Sequence, residues 1–172
     1  MLRGRCACDA VAYNVSDEFV AAYNCHCSNC RAMTGAAFLP VGGIERAKLK
    51  VTKGQESLLV EGDPDSAYEV RCSECFSLLY WTSRDAYFGV PYGTLIDEPT
   101  LKPMYHQFVG SKAPWYEILD DLPQHDTRLP LTAISNSREP FRPLHSLWRP
   151  ERSSRPHHLS LAASRPLTRA SI

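Results

Sequence analysis

The sequence has no long apolar run. Stretches such as Phe19 to Tyr23 fall far short of the roughly 18 to 20 residues that cross a bilayer, so no membrane span or membrane partner is expected. The N-terminus, Met-Leu-Arg-Gly-Arg-Cys, also lacks the hydrophobic stretch of a secretory signal. The expected location is cytoplasmic, where thiols stay reduced and clustered cysteines favour metal over disulfides. Net charge is missing too, with 19 Lys and Arg against 19 Asp and Glu, but that zero averages two unlike parts. Residues 1–126 hold 11 Lys and Arg against 17 Asp and Glu, a net −6, whereas 127–172 hold 8 Arg, no Lys and 2 acids, a net +6. An acidic body argues against nucleic acid as the main partner of the folded part, because duplex affinity comes from phosphate neutralisation by a basic face. The segment from Thr127 lacks glycine and any sustained period of 2 or 3.6, and is rich in proline, serine and arginine. It cannot easily bury a core and is expected to be disordered, a solvated appendage without function in the plainer reading, an arginine-rich binder of an acidic surface or nucleic acid in the other.

What is present fits one domain over 1–126 with a genuine core, since 44% of the 172 residues are apolar. Val11, Tyr13 and Val15 alternate as on a strand, and Phe19 to Asn24 reads as a second strand. Phe38 to Val41, Leu49 to Thr52, Leu58 to Val60, Tyr68 to Arg71, Leu78 to Thr82 and Tyr87 to Val90 are short strand candidates. Gly42-Gly43, Lys53-Gly54 and Glu61-Gly-Asp-Pro64 read as turns between them. Ser28 is a candidate cap for a short helical turn ending before Gly35, Leu95 to Met104 reads as loop, and Pro114 to Leu122 as a short C-terminal helix with proline in its first turn. The body is therefore expected to be mainly β.

The seven cysteines fall into three groups: Cys6 and Cys8, then Cys25, Cys27 and Cys30, then Cys72 and Cys75. The simplest partition joins Cys-x-Cys to Cys-x-x-Cys as a closed four-thiolate zinc, structural because it is coordinatively full. Other partitions, such as the triplet borrowing Cys72, strand single thiols. The triplet Cys25-His-Cys27-Ser-Asn-Cys30 is left as a three-thiolate site with a coordination position to spare. A two-residue step in extended chain puts Cys25 and Cys27 on one face and leaves Cys30 to return through a small loop; it turns His26 away, which reads as a half-buried strand histidine ahead of the alternative of a fourth ligand.

Charge sets the chemistry of such an open site. Zinc with three thiolates carries a formal net charge of −1, which makes it a weak Lewis acid toward water but a good acceptor of a further thiolate. It suits capture of a small thiol, whose sulfur can then add to a small aldehyde. Cys72-Ser-Glu74 superficially matches a zinc deaminase, but no Pro-Cys-x-x-Cys follows, and that chemistry is excluded.

Gly4-Arg-Cys-Ala-Cys8, Cys25-His-Cys-Ser-Asn-Cys-Arg31, Thr34-Gly-Ala36, Arg71-Cys-Ser-Glu-Cys75 and Ser111-Lys-Ala-Pro-Trp115 together resemble the glutathione-dependent formaldehyde-activating enzyme family, which includes centromere protein V. The likeness runs in order from about residue 3 to 124. It implies a tent-like β fold of small antiparallel sheets with zinc knuckles, a structural zinc on Cys6, Cys8, Cys72 and Cys75, and a second zinc on Cys25, Cys27 and Cys30 that meets the glutathione thiol. It implies carbon-sulfur lyase chemistry on thiol adducts of a small aldehyde. Two positions depart from the pattern: the glycines usual after Cys8 and Cys75 are here Asp9 and Phe76. A bulky residue kept at positive φ there would cost on the order of 1 kcal/mol, so the knuckle is expected either to carry that strain or to turn differently.

The alternative is a non-catalytic zinc-stabilised module that binds protein or nucleic acid, which would gain nothing from an open ligand position. Arg31 is the nearest cation and a candidate to hold a substrate carboxylate, beside its plainer reading as a surface ion pair. His106 is a candidate proton shuttle or a hydrogen-bonded packing histidine. Trp81, Tyr92 and Trp115 read as core or pocket-wall aromatics.

Overall fold

The computed structural model describes residues 1–63, 65–82 and 86–129. The chain divides into two units, Met1–Glu139 and Pro140–Ile172, and the second lies wholly outside the described residues. The tail expected from Thr127 falls outside them beyond residue 129, and part of the Glu61 to Pro64 turn does so at Pro64.

The elements in chain order are β1 Leu2–Arg5, β2 Ala12–Val15, β3 Ala21–Cys25, α1 Ser28–Thr34, β4 Leu39–Glu45 and β5 Leu49–Lys53. β6 Leu58–Gly62, β7 Tyr68–Cys72, β8 Leu78–Thr82, β9 Tyr87–Pro91, β10 His106–Gln107 and β11 Gln124–His125 follow. The fold is mainly β, as expected. A three-stranded antiparallel sheet has the order β1-β2-β5, and an eight-stranded sheet the order β11-β10-β3-β4-β9-β8-β7-β6. The larger sheet is mixed, because β10 runs parallel to both β3 and β11. No helix of the described residues is long and apolar enough to cross a membrane.

Two buried clusters organise these strands. The first joins both sheets through Leu2, Val11, Tyr13 and Val15 on one side and Ile44, Val70, Leu79 and Val90 on the other, and includes Cys6 and Cys72. The second packs Ala21, Tyr23, Leu39, Val41, Leu78 and Tyr105 around Cys25 and Cys30. Each group of thiols is thus anchored in its own apolar cluster.

The structure corrects the sequence reading at three elements. Gly42-Gly43 is not a turn but the middle of β4, paired with β3 on one side and β9 on the other. The reason is space: a Cβ on Gly42 would lie 2.4 Å from the Tyr92 ring and 2.6 Å from that of Phe19. Residues 114–122 form no helix, only a turn closed by Tyr116 N–H on Ala113 O at 3.1 Å. The Lys112 ammonium takes the Tyr116 carbonyl, which a helix would give to Asp120 N–H, and the Asp120 carboxylate accepts from His106 and from Leu122 N–H. Trp115 and Leu119 are left 72% and 84% exposed, so Trp115 is not a core residue. Lastly, Cys27 rather than Ser28 caps α1.

Candidate metal centres

The four sequence-distant thiols meet between the two sheets. Cys6 follows the end of β1, Cys72 ends β7, and each opens a tight loop that brings a second cysteine back. The two loops are built alike. Cys6 N–H donates to Val11 O and Cys72 N–H to Ser77 O, both at 3.0 Å, and Phe76 N–H donates to Cys72 O at 2.9 Å. The residue after each second cysteine turns left-handed, Asp9 at φ 62° and Phe76 at φ 59°. The turn that glycine would serve is therefore kept, with bulkier residues in it. The Sγ atoms of Cys6, Cys8, Cys72 and Cys75 all lie within 4.8 Å of one another. Backbone and hydroxyl donors point at them: Val11 N–H reaches Cys6 Sγ at 3.2 Å, and Ser77 Oγ lies 3.2 Å from Cys75 Sγ. The Ser77 contact is the main reason the Cys75 thiol drops to about 6. Ser77 also ties the loops together by accepting from Ala7 N–H at 3.1 Å.

The second group is local. Cys25 ends β3, Cys27 caps α1 and Cys30 lies in its first turn, so the third sulfur returns on a helix rather than through a loop. Gly35, left-handed at φ 66°, closes the helix by donating to Arg31 O. The three Sγ atoms again lie within 4.8 Å of one another, with Cys25 and Cys30 buried and Cys27 half-exposed. Cys30 N–H points at Cys27 Sγ at 3.4 Å. The neighbouring thiols of Cys25 and Cys30, followed by the backbone donors of Cys30 and Asn29, bring the Cys27 thiol down to about 2.

Strand pairing sorts the surrounding residues. The parallel register sets Gln107 beside Cys25 and His106 beside Asn24, so Tyr23, Cys25, Tyr105 and Gln107 share one face. His26 lies on the other. It is fully buried, not half-buried, with Nε2 2.7 Å from His106 Nδ1. His106 Nε2 in turn lies 3.0 and 3.1 Å from the two Asp120 oxygens. With both imidazoles neutral, Asp120 accepts from His106 Nε2–H and His106 Nδ1 accepts from His26 Nε2–H, which leaves His26 Nδ1 buried with no partner among the described residues. Burial first, and then His106, Lys112 and Arg31, hold His26 down to about 4 against the opposing pull of Asp120. His106 thus serves as a buried bridge. Asp120 gave no signal in the sequence, since it sits among exposed acids of an apparent helix. The Nε–H of half-buried Arg31 donates to His26 O at 3.3 Å, beside the thiol loop but committed to its backbone.

A family model described as glutathione-dependent formaldehyde-activating enzyme matches residues 1–111. The chain belongs to that family. The matched span of this formaldehyde-activating family takes in all seven cysteines, Arg31 and His106, but stops short of Asp120 and of most of the Ser111 to Trp115 motif. A crystal structure of a Rhodobacter sphaeroides protein is similar at 24% identity, covering 57% of this chain and 91% of that one with a TM-score of 0.47. No curated protein matches the chain. Seven soft, ionisable sulfurs in groups of four and three are the donor set zinc takes, so both clusters can hold zinc.

Proposed function

We propose that the chain is a zinc-dependent enzyme of the carbon-sulfur lyase type, acting on the adduct of glutathione, or a glutathione-like thiol, with a small aldehyde such as formaldehyde. Family membership supports glutathione-dependent formaldehyde activation. The observation that carries the finer reading is the partition of the thiols into a set of four and a set of three whose Cys27 edge is half-exposed. Cys6, Cys8, Cys72 and Cys75 would hold one structural zinc, and Cys25, Cys27 and Cys30 a second. Zinc on the triplet supplies an electron-rich centre with room for one more sulfur, which favours a bound thiolate over bound water.

The chain's own residues do the rest. Cys25 and Cys30 are fixed by burial in the second apolar cluster, so the triplet is held in place before substrate arrives. The Leu39, Leu78 and Tyr23 side chains of that cluster exclude water from the inner side of the sulfurs, leaving approach from Cys27. Arg31, held beside the thiol loop by its Nε–H bond to His26 O, is the candidate for a substrate carboxylate. The working domain is 1–126, and the arginine-rich tail needs no part in the chemistry.

Zinc content with zinc-edge spectroscopy tests this reading. Two zinc ions per chain are expected, and glutathione should add one sulfur to the average shell with release of a proton. Apparent affinity should rise with pH until the free thiol ionises near about 8.5. One tightly held metal with three freely titrating thiols, or no new sulfur on adding glutathione, removes the open-site reading and leaves a zinc-stabilised binding module.

A further inference from the structure

Burial fixes Cys25 and Cys30, but Cys27 is half-exposed at the start of α1. The residue between Cys25 and Cys27 is pinned at three points. His26 N–H donates to Gln107 O at 2.9 Å, its carbonyl accepts from Arg31 Nε–H at 3.3 Å, and its ring Nε2 lies 2.7 Å from His106 Nδ1. Cys27 is still extended, at φ −62° and ψ 153°. Successive side chains of extended backbone point to opposite faces, so a ring held on one face turns the Cys25 and Cys27 sulfurs together toward the other.

Stability alone does not ask for a histidine at this place. The ring is fully buried beside Phe38, Tyr116 and His106, with centroids 5.3, 6.0 and 4.9 Å away, and its Nδ1 has no hydrogen-bond partner among the described residues. An apolar side chain would fill the same box without an orphaned nitrogen. What the imidazole adds is direction, because a hydrogen bond fixes how a ring is turned where apolar packing does not. That direction is set from the surface. His106 Nε2 meets both oxygens of the exposed Asp120 at 3.0 and 3.1 Å, and Asp120 Oδ1 is itself held by Leu122 N–H at 3.0 Å. A carboxylate that accepts from Nε2–H makes Nδ1 the acceptor of His106, and so draws His26 Nε2–H toward it.

We infer that Asp120, acting through His106 and His26, positions the Cys25 to Cys27 segment and with it the half-exposed sulfur of the three-thiol centre. Asp120 and His106 are positioning residues, touching neither the sulfurs nor the substrate. The inference rests on the zinc proposed for that centre and adds to it the residues that hold its open edge in shape. Metal retention by the three thiols, and not by the four, should therefore depend on a carboxylate that lies beyond the matched span of 1–111.

Zinc release to a chromophoric chelator, followed on the full zinc-loaded chain, tests this. The parent should give up one ion fast and one slowly, and Cys27→Ser should lose the fast phase. In Asp120→Ala the fast phase should quicken about 10-fold while the slow one stays within about twofold. Asp120→Asn keeps an acceptor oxygen for His106 and should stay within about threefold of the parent. His26→Leu removes one orphaned nitrogen, its own Nδ1, and creates another on His106, so its melting temperature should move by only a few degrees while its fast phase quickens about 10-fold or more. Cobalt loaded in place of zinc gives a second readout: the thiolate-to-cobalt absorption of one ion should shift in Asp120→Ala and not in Asp120→Asn. An unchanged fast phase in Asp120→Ala overturns the inference and leaves the proposed function standing. So does an equal quickening of both phases, which would mark a general loss of stability, or a failure of Asp120→Asn to rescue. A parent that holds a single zinc, or a fast phase that survives Cys27→Ser, overturns the proposed function and this inference with it.

Discussion

Phe76 is 64% exposed and sits at φ 59°, in the one conformation where a side chain with a Cβ is strained. The knuckle hydrogen bond from Phe76 N–H to Cys72 O holds it there. A left-handed residue costs about 1–2 kcal/mol, while glycine gives back about 0.5–1 kcal/mol through its freer unfolded chain. Phe76→Gly should therefore stabilise the zinc-loaded protein by about 0.5–1 kcal/mol, read as a higher urea midpoint with unchanged slope. Asp9 at φ 62° should respond less, because aspartate tolerates this region and Asp9 Oδ2 accepts from Arg5 Nη1 at 2.5 Å. A lower midpoint for Phe76→Gly would mean that the ring makes a contact worth more than the strain.

Among the elements, the chain of hydrogen bonds from His26 through His106 to Asp120 does what a helix was expected to do: it fixes segment 113–122 against the body. His106→Ala should cost about 1–3 kcal/mol for each nitrogen of His26 left unpartnered, and should free the Asp120 carboxylate. Faster amide exchange over residues 113–125, with β8 and β9 still protected, is the expected signature. Exchange rising equally everywhere would show that His106 supports the whole body instead. What the sequence revealed here has a physical limit. β8 was read to the residue because Leu78 to Thr82 is apolar and bounded by turn residues. Gly42-Gly43 looked like a turn because nothing local announces that rings from Phe19 and Tyr92 need the space above β4. β10 and β11 are two residues each, too short for any period, and exist because the chain passes beside β3. The helix over 114–122 had its proline and apolar spacing but lost a carbonyl to Lys112, a tertiary contact no window of sequence contains.

For the molecule as a whole, the consequence is that each apolar cluster carries one thiol group. Seven cysteines at these spacings were enough to give both groups, because metal-ligand spacing is local while the shape joining the groups is not. The two groups should fail differently. Cys72→Ser strikes the junction of the two sheets, where a filled four-thiolate zinc site contributes folding free energy on the order of 10 kcal/mol in the strongest small cases. It should unfold the protein or lower its melting temperature drastically. Cys27→Ser, at the half-exposed cap of a seven-residue helix, should leave a cooperative melt and abolish thiol binding. Equal unfolding by both, in circular dichroism melts, would mean the two groups have been given the wrong tasks.

The same arrangement sets an order of assembly during synthesis. The ligands of the three-thiol group lie within Cys25 to Cys30, so a nascent chain can complete that group as soon as this short stretch emerges. The four-thiol group must wait for Cys75, and must close a loop from Cys6 to Cys75 that is about ten times longer. At roughly 0.6 kcal/mol for each doubling of loop length, that difference disfavours early closure by about 2 kcal/mol. A metal should therefore enter the three-thiol group first, on a chain still unfolded. The clasp between the sheets closes second, before β8 to β11 have all joined the larger sheet.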